Sequence, residues 1–105
     1  MSSASPDRRV LIAAADLVFH ASLEAVVRQA GWEPVRDGAA TLAIVELGDR
    51  AALDRVRALR GEGVEVLAFG PHVHAAMLDA ARELGAVAVP NARIARAVRE
   101  RLAAR

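Results

Sequence analysis

Short, near-continuous apolar runs, each followed by a stretch of helical periodicity, are the strongest constraint on this chain. VLIAAA (10–15), TLAIVEL (41–47), VEVLAF (64–69) and AVAV (86–89) are too short for buried helices. They are also too apolar for strands with one wet face. Such runs are strands covered on both sides, as in a parallel sheet. Between them, Phe19, Leu23, Val26, Val27 and Ala30 recur at helical spacing. So do Leu53, Val56 and Leu59, then Val73, Met77, Ala81 and Leu84, then Ile94, Val98 and Leu102. Asp16, Asp49 and Asn91 stand where N-caps belong, and Pro71 suits a first helical turn. Gly31, Gly61, Gly63 and Gly85 stand where helices stop. The pattern predicts an α/β chain with a parallel sheet sandwiched between helices.

One step breaks the alternation. Trp32 to Arg36 forms a short second strand, and only Asp37 to Ala40 separate it from the third. A parallel crossover normally takes about ten residues or more. The helix between strands two and three is therefore missing or very short. The link can close only if strand two is short and the connection runs extended. The thinned side then leaves about half of Leu11, Ala13, Leu42, Ala43, Ile44 and Val45 in need of cover, because side chains alternate along a strand. Either the link lies flat across them or a second copy does; the expectation is a homodimer.

A chain of 105 residues supports one domain, here residues 8–105 behind a flexible arm at 1–7. With 54% apolar and 26% charged residues, it is globular. The absence of cysteine excludes disulfides, thiol nucleophiles and Cys-ligated metal centres. There is no tyrosine, one Trp and two Phe, which disfavours base stacking. Every basic side chain is Arg, so no lysine Schiff base and no P-loop Lys is available. The net charge of +1 is no footprint for nucleic acid. No apolar run reaches the roughly 18 residues of a membrane helix, and MSSASPDRR lacks the apolar core of a signal peptide. A cytoplasmic location is expected, with no membrane and no nucleic acid as partner.

The ordered set VLIAAAD, LAIVELGD, VLAFGP and LGAVAVP resembles a response-regulator receiver domain over residues 8–103. The stretch AFGPHVHAAMLDAARELGA carries the likeness most clearly. The resemblance implies a flavodoxin-like open sheet of five strands in the order 2-1-3-4-5. It also implies a phosphorylated aspartate ending strand three and an acidic pair after strand one that holds Mg²⁺. A Ser or Thr would end strand four, and a Lys would end strand five. Matched residue by residue, the acceptor falls on Glu46 and the acidic pair on Ala14 and Ala15, with Asp16 one step late. The hydroxyl falls on Gly70, and the lysine region reads VPNAR. Without the carboxylate pair Mg²⁺ loses its hard oxygen ligands. Without metal and Lys, the charge of phosphoryl transfer goes unmet.

The resemblance thus implies a receiver that has lost its phosphorylation site, neither an enzyme nor a holder of cofactor or metal. It would be a regulatory module acting on an unidentified protein partner. The receiver partner face maps to Met77, Ala81, Arg82, Arg93, Ile94 and Arg96. Another reading stays open: a small ligand or divalent metal held at the carboxyl ends of the strands by His20, Glu46, His72 and His74. Asp16 and Asp49 belong to the same edge. Imidazole plus carboxylate suits such a metal, although His72-x-His74 at a helix start points the two rings apart. No GxGxxG and no Ser–His–Asp set can be assembled.

Overall fold

The computed structural model describes residues 8–104; the arm expected at 1–7 lies outside them. Strands β1 (Arg9–Ala13), β2 (Glu33–Val35), β3 (Leu42–Glu46), β4 (Glu65–Gly70) and β5 (Val87–Pro90) pair in parallel in the order β2-β1-β3-β4-β5. Helices α1 (Leu17–Gln29), α2 (Arg50–Gly61), α3 (Ala75–Glu83) and α4 (Ile94–Ala103) cover the two faces. This is the flavodoxin-like architecture that the sequence predicts, and no helix lies between β2 and β3.

The alternation of strand side chains builds two cores. On one face Val10, Ile12, Leu42, Ile44, Leu67 and Phe69 meet Leu23, Val26 and Val27 of α1 and Ile94, Val98 and Leu102 of α4. On the other, Leu11, Ala43, Val45, Val66 and Ala68 meet Val56 of α2 and Leu78 and Ala81 of α3. Asp16 caps α1, its carboxylate accepting from the amides of Val18 and Phe19 at 2.9 and 3.0 Å. Asp49 caps α2 in the same way through Ala52 at 3.1 Å. Gly31, the first residue past the cap of α1, has φ +84°, a conformation that L side chains rarely adopt.

Two local expectations fail. Asn91 makes no capping hydrogen bond and instead opens a 3₁₀ turn, Asn91–Arg93, ahead of α4. Val73 lies before α3 and is 72% exposed, while Leu78 takes the core position. Pro71 and both histidines precede the helix, which starts at Ala75 with His74 at its N-cap.

The missing helix is replaced by geometry. Val35, the end of β2, sits level with Leu11, and Leu42, the start of β3, sits level with Val10. The chain must move sideways by two strand spacings, about 10 Å, and back by one residue, about 3 Å. The extended link from Val35 to Leu42 can span about 24 Å. A longer β2 would need a longer return, so its three residues are what make the short link possible. The link crosses the α2–α3 face, where Val35 and Ala40 pack on the core that contains Leu11 and Ala43. Leu11 is 8% exposed, and Ala43 and Val45 are buried. The expected open apolar patch is therefore closed within the chain, and the argument for a second copy loses its surface.

Candidate functional site

The carboxyl ends of β1 and β3 and the end of β2 surround a cleft of about 520 Å³. Its floor is small: Ala13, Ala14, Ala15, Gly48, Ala51 and Ala52. Its polar rim holds Asp16, His20, Glu46, Asp49, Arg36 and Arg55. Alanine at these floor positions creates the space that longer side chains would fill.

Glu46 ends β3 and is half-buried. Its Oε1 accepts a hydrogen bond from the backbone amide of Asp16 at 3.1 Å. That amide stands at the start of α1, where unpaired N–H groups and the positive end of the helix dipole favour a carboxylate. The side chain therefore bridges the third strand to the first helix. All three acids on the rim are engaged by amides at helix N-termini: Asp16 and Asp49 as caps, Glu46 on the cap residue itself.

The two arginines differ. Arg36 and Arg55 make no hydrogen bond or ion pair among the described residues. Neither was legible as a site residue in the sequence. Arg36 is a strand-end charge beside a turn, and Arg55 is one of several arginines on an exposed helix face. Their only signal is register: the first residue past β2, and the sixth residue of α2.

The histidines do not converge. His20 is 6% exposed and lines the cleft. Its Nδ1 lies 3.7 Å from Glu24 Oε2, beyond hydrogen-bond range. His72 and His74 lie in the exposed turn before α3 and are not part of the cleft lining. Of the ligand edge expected from sequence, the structure brings together His20 and Glu46 and leaves His72 and His74 apart. Among the described residues, no group of three His, Asp or Glu side chains could hold a metal ion.

The expected receiver positions are distributed as follows. Ala14 and Ala15 form the loop after β1, and Gly70 ends β4, buried against Leu47. The donor set does not fit Mg²⁺: two alanines stand at the acid pair, and Asp16 and Glu46 already accept from backbone amides.

The expected partner face is also only partly available. Ala81 is fully buried and Ile94 is 2% exposed, each packed in a core, so neither can touch a partner. The periodicity that placed them on a helix stripe is the core stripe itself. Met77 is half-buried against the α2–α3 core. Arg82 donates to the Ala88 carbonyl and to Asp79, both at 2.8 Å. Arg93 and Arg96 are exposed and line a shallow cleft with Val89 and Glu100.

Order and direction of these elements define a flavodoxin-like α/β fold with a cleft at the carboxyl edge of its sheet. The crystal structure of HP1043, an orphan response regulator of H. pylori, is similar at TM-score 0.74 and 19% identity, covering 94% of this chain and 96% of that one. No family model matches the sequence. No curated protein matches it either. Among the described residues, no helix is long and apolar enough to cross a membrane.

Proposed function

We propose that this chain is a non-catalytic regulatory module: a receiver fold whose phosphoryl-accepting site has been dismantled and which acts by contact with another protein. The observation that carries the reading is the commitment of the carboxylates. Glu46 holds the Asp16 amide, Asp16 caps α1, and alanines occupy 14 and 15, which leaves no acid pair for a metal. With no Lys anywhere in the chain, the charge of an incoming phosphoryl group also lacks its usual neutralising partner. The exposed portion of the partner face is Arg82, Arg93 and Arg96; Arg82 pairs with Asp79 and Arg96 with Glu100, which leaves Arg93 to meet an acidic group on a partner protein.

Incubation with Mg²⁺ and acetyl phosphate tests the loss directly. Intact mass should stay unchanged. A stoichiometric gain of one phosphoryl group that disappears in Glu46→Ala would overturn the reading.

A further inference from the structure

The cleft at the carboxyl edge retains the shape of a ligand site after losing the chemistry of a phosphorylation site. Its volume of about 520 Å³ lies within the usual range for small-molecule pockets, roughly 300–1,000 Å³. The charge on its rim decides what it could take. Formally, three acids face two arginines. The acids, however, each accept from a backbone amide at a helix N-terminus, which offsets part of their charge. The guanidinium groups of Arg36 and Arg55 have no partner among the described residues. They are the groups left to bind something. His20, nine-tenths buried and without a side-chain hydrogen bond, adds a polar ring to the same wall.

We infer that this cleft binds a small organic monoanion, a carboxylate with a compact apolar body. Arg36 and Arg55 clamp the carboxylate, and the body rests on Ala13, Ala14, Ala51 and Ala52. The planar fork of a guanidinium matches a carboxylate in two parallel hydrogen bonds. The alanine floor offers apolar area but no further donors. A dianion such as inorganic phosphate would meet the carboxylates of Asp16, Glu46 and Asp49 across the same opening, so a single negative charge fits better. A cation is disfavoured because each acid already accepts from a helix N-terminal amide, whereas the unpaired groups of the rim are positive. The inference does not depend on the absence of phosphorylation, because it rests on residues that take no part in that chemistry.

The probe is 4-fluorobenzoate, followed by ¹⁹F line broadening and by ¹H–¹⁵N spectra of the full chain. Inorganic phosphate and 4-fluorobenzylammonium serve as the anionic and cationic comparisons. The expected result is saturable binding of the benzoate that shifts the amides of Ala15, Gly48 and Ala52. Affinity should fall at least tenfold in Arg36→Gln combined with Arg55→Gln. Both side chains are exposed, so the variant should keep its fold, which its amide spectrum verifies. Phosphate should bind more weakly, and the ammonium should not compete. Absence of saturable benzoate binding would refute the inference. So would binding unaffected by the double variant, or tighter binding of phosphate or of the ammonium compound.

Discussion

Replacing Glu46 with Ala separates two accounts of that residue. In one it is a solvated strand end, or a fixed negative charge standing in for a phosphoryl group. In the other it fastens the first helix to the third strand. The hydrogen bond from the Asp16 amide, at 3.1 Å, contributes about 0.5–1.5 kcal/mol net in a protein. A carboxylate near a helix N-terminus adds about 0.3–1 kcal/mol. Because water can reach the Asp16 amide once the side chain is gone, the lower part of the combined range applies, about 1 kcal/mol. In a domain of this size that lowers Tm by about 4–8 °C. Glu46→Gln keeps an acceptor oxygen at the same reach and loses only the charge, so it should cost about half as much. Glu46→Asp shortens the side chain by one methylene and should behave like Ala, although it restores the residue type found at a receiver's acceptor position. Urea denaturation gives the stabilities, and hydrogen exchange at the Asp16 amide reports the bond itself. Glu46→Ala within about 0.3 kcal/mol of the parent chain, with no change in exchange at Asp16, would refute the fastening role; an exposed solvated charge costs this little.

Three further outcomes follow from the structure. Leu11→Ala should cost about 2–4 kcal/mol by urea denaturation, because Leu11 is sealed beneath the β2–β3 link; a loss below about 1 kcal/mol would mean that the link leaves β1 open. Gly70→Ala should change stability by less than about 1 kcal/mol, since the added methyl would meet Leu47 at an ordinary 3.5 Å and the backbone φ is not positive; a larger loss would show that glycine is sterically required there. Titration calorimetry with Zn²⁺ should show no site tighter than about micromolar, because His20 stands apart from His72 and His74, and tight one-to-one binding lost in His72→Ala would contradict that arrangement.

Arg101 shows how a structural charge differs from a functional one here. It forms a double hydrogen bond with Glu65, whose Oε1 lies 2.6 Å from Nη2; the second contact joins Nε to Oε2. The bond to Glu65 raises the guanidinium above its ordinary value, with burial opposing and the charge of Glu65 assisting. A raised folded-state value means the contribution is complete at every pH below arginine's ordinary value, far above neutral, and is lost only in stronger base. Arg101 therefore lends no pH dependence across the neutral range. The pair ties α4 to β4, and its partial exposure limits it to about 1 kcal/mol or less.

The sequence by itself determined the sheet. Uniformly apolar runs can be buried only between two layers, and the helical stripes between them supplied those layers. Asp16 and Asp49 were legible as caps because an N-cap requires only the identity and position of one side chain. The short β2–β3 link was legible as an anomaly, together with the condition that would resolve it. Its resolution was not, because the face it crosses depends on register: Val35 level with Leu11, Leu42 level with Val10. The same limit applies to the site. Periodicity named Ala81 and Ile94 as members of a helix stripe but could not tell a core stripe from a partner face. It placed three histidines on one edge of the sheet, yet only one lines the cleft, since strand order spreads the loops after β1 and β4 apart. Arg36 and Arg55 stood out only when the tertiary structure put them beside acids that were already paired. A free charge is defined by the absence of a partner, and partners brought together from distant parts of a chain are decided by the fold.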